Sequence, residues 1–168
     1  MSDGGPGAAG RGFGDRDGWY AGLAGVVVAA GAVITDPEGR VLLVKPNYRD
    51  HWSLPGGICE FGEEPQAGCR REVAEELGLD LPVGRLLITD WSQPFGDQAR
   101  PIMHFVFDGG QMPDGSGIVL QQDELDGYRF TAPGELPGYL PPHVLRRVAG
   151  ALRARAAGSV IYLPAQEA

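Results

Sequence analysis

The chain has 168 residues, of which 43% are hydrophobic, and a formal net charge of -8. This length predicts one domain with a sizeable core, and the charge argues against a long nucleic acid or an anionic membrane surface as the main partner. A small anionic ligand stays compatible with this charge, because a bound divalent cation can reverse the local sign.

The first 18 residues are glycine-rich and polar, and they lack the apolar core of a signal peptide. They predict a disordered tail, followed by a single domain over residues 19–168. No run of about 18 apolar residues occurs, so we expect no membrane span. Cys59 and Cys69 are too few for a disulfide framework, which predicts reduced thiols and a cytoplasmic location.

Two apolar runs near the start predict a hairpin. Residues 25–34 are apolar and β-branched, and residues 41–44 resume the pattern after a type I turn at residues 36–39. Residues 52–54 predict a further short strand that leads into Pro55, Gly56 and Gly57.

A helix is predicted between Pro65 and Gly78. Proline suits the first helical turn and glycine suits the position just past the helix end. Between them Cys69, Val73 and Leu77 repeat every four residues and form one apolar stripe.

Residues 82–91, 101–107 and 128–130 predict three more strands. A second helix is expected from Pro142 to about residue 157. Its inner side carries four aliphatic residues: Val144, Leu145, Val148 and Leu152. This succession predicts an α+β fold, an α/β/α sandwich with a mixed sheet.

Three glutamates share one part of the first helix. Glu72, Glu75 and Glu76 stand at positions i, i+3 and i+4, so their side chains are neighbours beside the apolar stripe. A solvated acidic face is the simpler interpretation of the three glutamates alone. An oxygen-rich cluster also suits hard cations such as Mg²⁺ or Mn²⁺.

The spacing around these glutamates is more specific than the glutamates themselves. Its elements are Gly57, Glu63, Arg71, Glu72, Val73, Glu75, Glu76, Gly78 and Leu79. In this pattern the chain resembles the Nudix hydrolases. The motif covers residues 57–79, and the order of elements extends the likeness over roughly residues 25–157.

The resemblance implies hydrolysis of a diphosphate bond in a nucleoside diphosphate linked to a group X, with Mg²⁺ or alternatively Mn²⁺ as cofactor. ADP-ribose, a nucleotide sugar or a nucleoside triphosphate are candidate substrates. The resemblance also implies that Glu72, Glu75 and Glu76 bind the metal, Glu76 foremost, together with the carbonyl of Gly56. Such a site suits the chemistry, because cations neutralise diphosphate oxygens and activate water.

Two roles around the motif stay open. Arg71 is expected to support the site with Gly57 and Glu63, either by pairing with Glu63 or by orienting a glutamate. The general base is either Glu72 or Glu124, a residue of a later loop that the motif does not cover.

Aromatic and basic side chains outside the motif are candidates for reading the substrate. The candidate residues are Trp19, Tyr48, Arg49, Trp91 and Arg100, with Tyr20, Phe95 and His104 considered beside them. His104 is predicted to be a hydrogen-bonded residue of a strand rather than a catalyst.

Two other functions use the same fold. One is a non-catalytic ligand sensor, which typically loses motif glutamates, and none is lost here. The other is an enzyme like isopentenyl-diphosphate isomerase, for which Cys59 lies near the motif. We expect a small nucleotide or diphosphate partner and neither long nucleic acid nor membrane. Many Nudix proteins are homodimers, although the sequence shows no interface.

Overall fold

The computed structural model describes residues 23–94, 96 and 100–165, so the predicted tail over residues 1–18 lies outside it. The strands are β1 (Val27–Thr35), β2 (Val41–Pro46), β3 (Gly56–Ile58), β4 (Leu86–Ser92), β5 (Ile102–Gln111), β6 (Leu125–Thr131) and β7 (Ile161–Leu163). The α-helices are α1 (Pro65–Leu77) and α2 (Pro142–Ala157), and a 3₁₀ helix spans Pro133–Gly138.

The strands form one mixed sheet in the order β6-β2-β1-β5-β4-β7, and β3 pairs with β1 beside this path. Strand β1 runs parallel to β5 and β4 runs parallel to β7, whereas the other pairs are antiparallel. The predicted α+β fold with a mixed sheet is therefore confirmed.

Successive side chains of a strand point to opposite faces of the sheet, so the apolar core forms two layers. Leu42 and Val44 of β2 belong to the apolar cluster that includes α1. Val41 and Leu43 of the same strand instead pack with the cluster of α2 and the 3₁₀ helix. One helix therefore covers each face of the sheet, which is the expected α/β/α sandwich.

The predicted hairpin is present, with Thr35 opposite Val41. The strand expected at residues 52–54 was wrong, because there only Ser53 forms an isolated bridge, to Val44. The Pro55 carbonyl accepts a hydrogen bond from the Ala32 N–H at 3.0 Å, and the continuous pairing with β1 begins at the next residue, Gly56. Proline lacks an N–H for the ladder, so the strand starts beyond it.

The later strands are shifted from their predicted bounds. Strand β4 begins at Leu86 rather than at residue 82, and β5 continues to Gln111. Strand β7 was not predicted, since three residues are too few to show a period. Within the described residues, no helix has the length and apolar character needed to cross a membrane.

Helix α1 has the predicted start and end. Pro65 opens it, and the Glu64 side chain accepts a hydrogen bond from the Ala67 N–H at 3.3 Å. Gly78 ends it with φ 66°, a left-handed conformation that favours glycine. The apolar stripe of Cys69, Val73 and Leu77 is buried as expected.

The loop before β6 caps the end of α1. The Val119 N–H donates to the Leu77 carbonyl at 2.9 Å, and the Gln121 N–H donates to the Glu76 carbonyl at 3.2 Å. These bonds satisfy carbonyls that a helix end otherwise leaves without partners. They also fix the backbone that leads to Glu124.

Substituting Gly78 tests this junction, with Gly158 as a matched control. Both glycines end a helix at φ 66°, so alanine at either site should cost about 1–2 kcal/mol of unfolding free energy. A Cβ at Gly78 would also lie 3.0 Å from the Val119 Cβ, whereas a Cβ at Gly158 meets no atom of the described residues within 4 Å. Urea unfolding should therefore show the larger loss of unfolding free energy for Gly78→Ala. Equal losses in the two variants would contradict a close contact between Gly78 and Val119.

Candidate active site

Two glycines bring the β3 backbone against its neighbours. A Cβ on Gly56, whose φ is 138°, would lie 2.2 Å from the Ala30 carbonyl oxygen. A Cβ on Gly57 would lie 2.5 Å from the carboxyl carbon of Glu72. Only glycine fits such approaches, so Gly56 lets the backbone of β3 lie close to β1 and Gly57 lets it lie directly on Glu72 of α1.

Glu76 is the most enclosed of the motif glutamates, with 6% of its surface exposed. Its Oε2 accepts a hydrogen bond from the Gly56 N–H at 2.8 Å. Burial foremost, and then the charges of Glu72, Glu124 and Glu75, raise the pKa of Glu76 to about 8, although this hydrogen bond acts to lower it. A carboxylate held in such surroundings is stabilised by a nearby cation.

Glu72 shares this acidic environment. Burial raises the pKa of its carboxyl, Arg71 lowers it, and the charges of Glu75 and Glu124 add to the increase. Glu124 is exposed, and its carbonyl accepts a hydrogen bond from the Asn47 N–H at 2.9 Å. The fold therefore brings the loop residue Glu124 into electrostatic range of the helix glutamates.

Arg71 joins three carboxylates. Its guanidinium lies 3.0 Å from oxygens of Glu63, Glu72 and Glu75. It also donates to the Ile58 carbonyl of β3 at 3.3 Å. Hydrogen bonds from Arg71 and from the Glu60 N–H hold the pKa of Glu63 at about 2. Both arrangements considered from the sequence, the pair with Glu63 and the contact with a motif glutamate, are present together.

The donors of this cluster fit a hard divalent cation by their chemistry, because all are carboxylate or carbonyl oxygens. As arranged, Glu72 and Glu75 accept hydrogen bonds from Arg71, and Glu76 accepts one from the Gly56 N–H. Accordingly, no three Asp, Glu, His or Cys side chains of the described residues converge as a ready metal centre. Ligation therefore requires Glu72 and Glu75 to turn from Arg71, which torsions of exposed or half-buried side chains permit.

The candidate substrate-binding residues that the structure describes lie outside the glutamate cluster. Tyr48 and Arg49 occupy the exposed loop after β2, with the guanidinium 5.2 Å from the ring centre. Trp91 lies in β4 opposite Met103, and the Arg100 guanidinium packs near Gly25. Trp19, Tyr20 and Phe95 lie outside the described residues.

His104 occupies β5 as expected, opposite Asp90 of β4. Its ring bonds to no other residue that the structure describes, but its nitrogens are not among the buried polar atoms left without a partner, so the hydrogen-bonded histidine stays a prediction. Burial and then the positive charge of Arg147 lower its pKa to about 3. Sequence reasoning missed His51, His143 and Arg147 around it, since no motif marks them.

Comparison with known proteins shows the family of the chain. The family model of the NUDIX domain matches residues 25–150. A MutT-like protein of Streptomyces ambofaciens is 37% identical over 109 residues, which is 65% of this chain and 66% of that protein. YjhB of Bacillus subtilis (strain 168), named as a candidate ADP-ribose pyrophosphatase, is 36% identical over 81 residues, 48% of this chain and 39% of its own.

The fold is also that of a solved enzyme. The crystal structure of a UDP-X diphosphatase superposes with a TM-score of 0.66 at 26% identity, covering 84% of this chain and 68% of that one. The chain thus spans well under half the length of YjhB and about two thirds of the other two proteins.

Arg71→Lys should release Glu63, because lysine keeps the charge but cannot bridge three carboxylates with a planar fork. We expect the pKa of Glu63 to rise from about 2 towards 4.5, measured by ¹³C NMR titration of the carboxyl carbon. A lowered pKa contributes stability above pH 4.5 that is lost as the pH falls towards 2, so the variant should lose less stability over this window.

Arg70→Lys is the control for this change, because Arg70 is on the same helix and pairs with the exposed Asp80. It should leave the pKa of Glu63 where it is. An unchanged pKa in Arg71→Lys would show that Arg71 does not hold Glu63.

Glu76 should make the metal-free protein less stable at high pH. A raised pKa in the folded state contributes stability that is complete below pH 4.5 and lost as the pH rises to about 8. The loss should be at most about 5 kcal/mol, since one pKa unit corresponds to about 1.4 kcal/mol. Urea unfolding in a chelator between pH 5 and 8.5 measures it, and the same slope in Glu76→Gln would contradict this origin.

Proposed function

The chain belongs to the Nudix hydrolase family, and on that premise we propose that it hydrolyses a diphosphate bond in a nucleoside diphosphate linked to a group X, with Mg²⁺ as cofactor. Glu72, Glu75, Glu76 and the Gly56 carbonyl would hold the cation. Mn²⁺ is the alternative cation, because it accepts the same oxygen donors.

The buried carboxylate of Glu76 is the observation that carries this proposal. Glu76 is 6% exposed, yet its hydrogen-bond partner from the protein is an amide rather than a cationic side chain. Glu72 and Glu124 add negative charge to the same place. A fold gains no stability from such a group alone, so its position favours a ligand that brings positive charge.

The residues around Glu76 then have separate roles. Gly57 lets the backbone of β3 approach the glutamates, and Arg71 holds β3 and the loop at Glu63 against α1. When bound, a divalent cation supplies charge neutralisation of the diphosphate and a more acidic water. Glu72 and Glu124 remain the candidate bases for taking the proton of the attacking water, and both lie in the field of Glu76.

The names of the relatives support a diphosphate substrate carrying a nucleoside. One is named as a candidate ADP-ribose pyrophosphatase and another as a UDP-X diphosphatase, so both names describe cleavage next to a nucleotide. We therefore place ADP-ribose and nucleotide sugars first among the substrates to test. The free thiols of Cys59 and Cys69 support a cytoplasmic location.

Glu76→Gln should reduce kcat by about 10³-fold or more while the protein stays folded, because the amide keeps the shape and loses the charge. Release of nucleoside monophosphate from ADP-ribose and from UDP-sugars in Mg²⁺ measures the change. Glu60→Gln is the control, since Glu60 is an exposed acid of the neighbouring loop and should retain wild-type turnover.

A wider panel tests the reaction class with the same preparation. It adds dinucleoside polyphosphates, nucleoside triphosphates and isopentenyl diphosphate. Equal activity of Glu76→Gln and wild type would refute the assignment of the site. Absence of phosphate-containing products across the panel would favour the sensor function instead.

A further inference from the structure

A second charged cluster lies on the α2 side of the sheet, where β1 and β5 begin and β4 ends. In register, His104 of β5 stands beside Asp90 of β4, and Asp90 is bonded to Arg147 of α2. Side chains directly opposite each other on paired strands share a face, so His104 faces α2 as well. We define the histidine–arginine cluster by six residues: His51, Asp90, His104, His143, Arg146 and Arg147.

Positive charge exceeds negative charge in this cluster. Arg147 donates to one oxygen of Asp90 at 2.6 Å and Arg146 donates to the other at 3.2 Å. One carboxylate thus faces two guanidinium groups, and the charge of Arg49 reaches the same histidines. The excess is notable in a chain whose net charge is -8.

The inner part of the cluster, at Asp90 and Arg147, is largely shielded from water, whereas His143 lies at its exposed edge. The side chain of Arg147 is 13% exposed and that of Asp90 is 3% exposed. Coulomb interactions strengthen as water is excluded, so an anion placed here gains more from the guanidinium groups than at an open surface.

Two imidazoles in the cluster have unused hydrogen-bonding capacity. His143 meets the ring of His51 edge to face at 5.9 Å, and neither His104 nor His143 hydrogen bonds to another described residue. Burial and then Arg147 lower the pKa of both rings. Neutral rings in a positive field offer N–H donors, and an anion would offset the part of the lowering that comes from Arg147.

The start of α2 adds to this field. His143 is in the first turn, and the residue before the helix, Pro141, supplies no capping side chain. The N-terminal end of a helix carries partial positive charge, where arginines are disfavoured unless an anion is near.

From these contacts we infer that the histidine–arginine cluster, with Arg49, binds a phosphate group at a site separate from the glutamates of α1. Ala29 of β1 is paired with Ile58 on one side and with His104 on the other, so these two backbones are about 10 Å apart across the sheet. The phosphate can come from the far end of the substrate or from a free phosphate in solution.

The NMR signals of the imidazole rings report on this site alone, because all three histidines of the chain belong to the cluster. The full chain without an affinity tag, labelled with ¹⁵N-histidine, would be titrated in a chelator with inorganic phosphate and with sulfate, a tetrahedral anion whose charge is constant near neutral pH. Saturable shifts of the ring signals support the site. Shifts that stay linear with anion concentration, or are absent, overturn it.

Three variants test the assignment. Arg49→Gln and His143→Gln change exposed residues, so folding should be kept, and each should weaken sulfate binding about tenfold. Arg153→Gln, an exposed arginine of the same helix, should bind sulfate as the wild type does. Equal affinity in all three variants overturns the site.

Kinetics with a nucleoside diphosphate substrate in Mg²⁺ distinguish the two sources. If the substrate supplies the phosphate, sulfate should raise KM without changing kcat, and His143→Gln should lose this inhibition. If a free phosphate is the ligand, sulfate should change kcat in the wild type and not in His143→Gln. Inhibition that is equal in wild type and variant overturns the proposal. The anion titration of the labelled histidines tests the site even if no substrate is hydrolysed.

Discussion

Repulsion among the carboxylates of α1 is the constraint around which this structure is arranged. Glu72, Glu75 and Glu76 lie within one turn, and the loop residue Glu124 adds to their field. Two contacts and one protonation moderate the repulsion: Arg71 bridges Glu72 and Glu75, the Gly56 N–H bonds to Glu76, and the raised pKa of Glu76 favours its protonated form below about pH 8. The Gly56–Glu76 bond ties α1 to β3, and Arg71 also bonds to the Ile58 carbonyl of β3 and to Glu63 of the following loop, so the same charges organise the local fold.

Much of the fold could be predicted because its determinants are local. A four-residue repeat, a proline and a glycine define α1, since helix side chains meet at these spacings and helix ends need these backbone conformations. The Arg71–Glu63 pair could also be expected, because both residues belong to a motif of known spacing. The Nudix resemblance extended these predictions to the sheet, which single strands do not specify by themselves.

Contacts between residues far apart in sequence were beyond such reasoning. Arg147 and Asp90 are 57 positions apart, and nothing in the periodicity of α2 indicates which strand its polar residues reach. Strand β3 was misplaced because its position depends on the close approach of Gly56 to β1, and not on β-forming residues. The nearness of Glu124 to the glutamates likewise depends on the backbone bonds between its loop and the end of α1.

The placement of acidic and basic side chains on opposite faces of one sheet has an electrical consequence. The carboxylates of α1 are on one side and the guanidinium groups of Arg146 and Arg147 are on the other, so these two clusters contribute a dipole across the sheet. In dilute salt such a charge separation favours the approach of an anion from the side of Arg146 and Arg147. Added salt shortens the range of this effect, because the screening length falls to about 10 Å at 0.1 M.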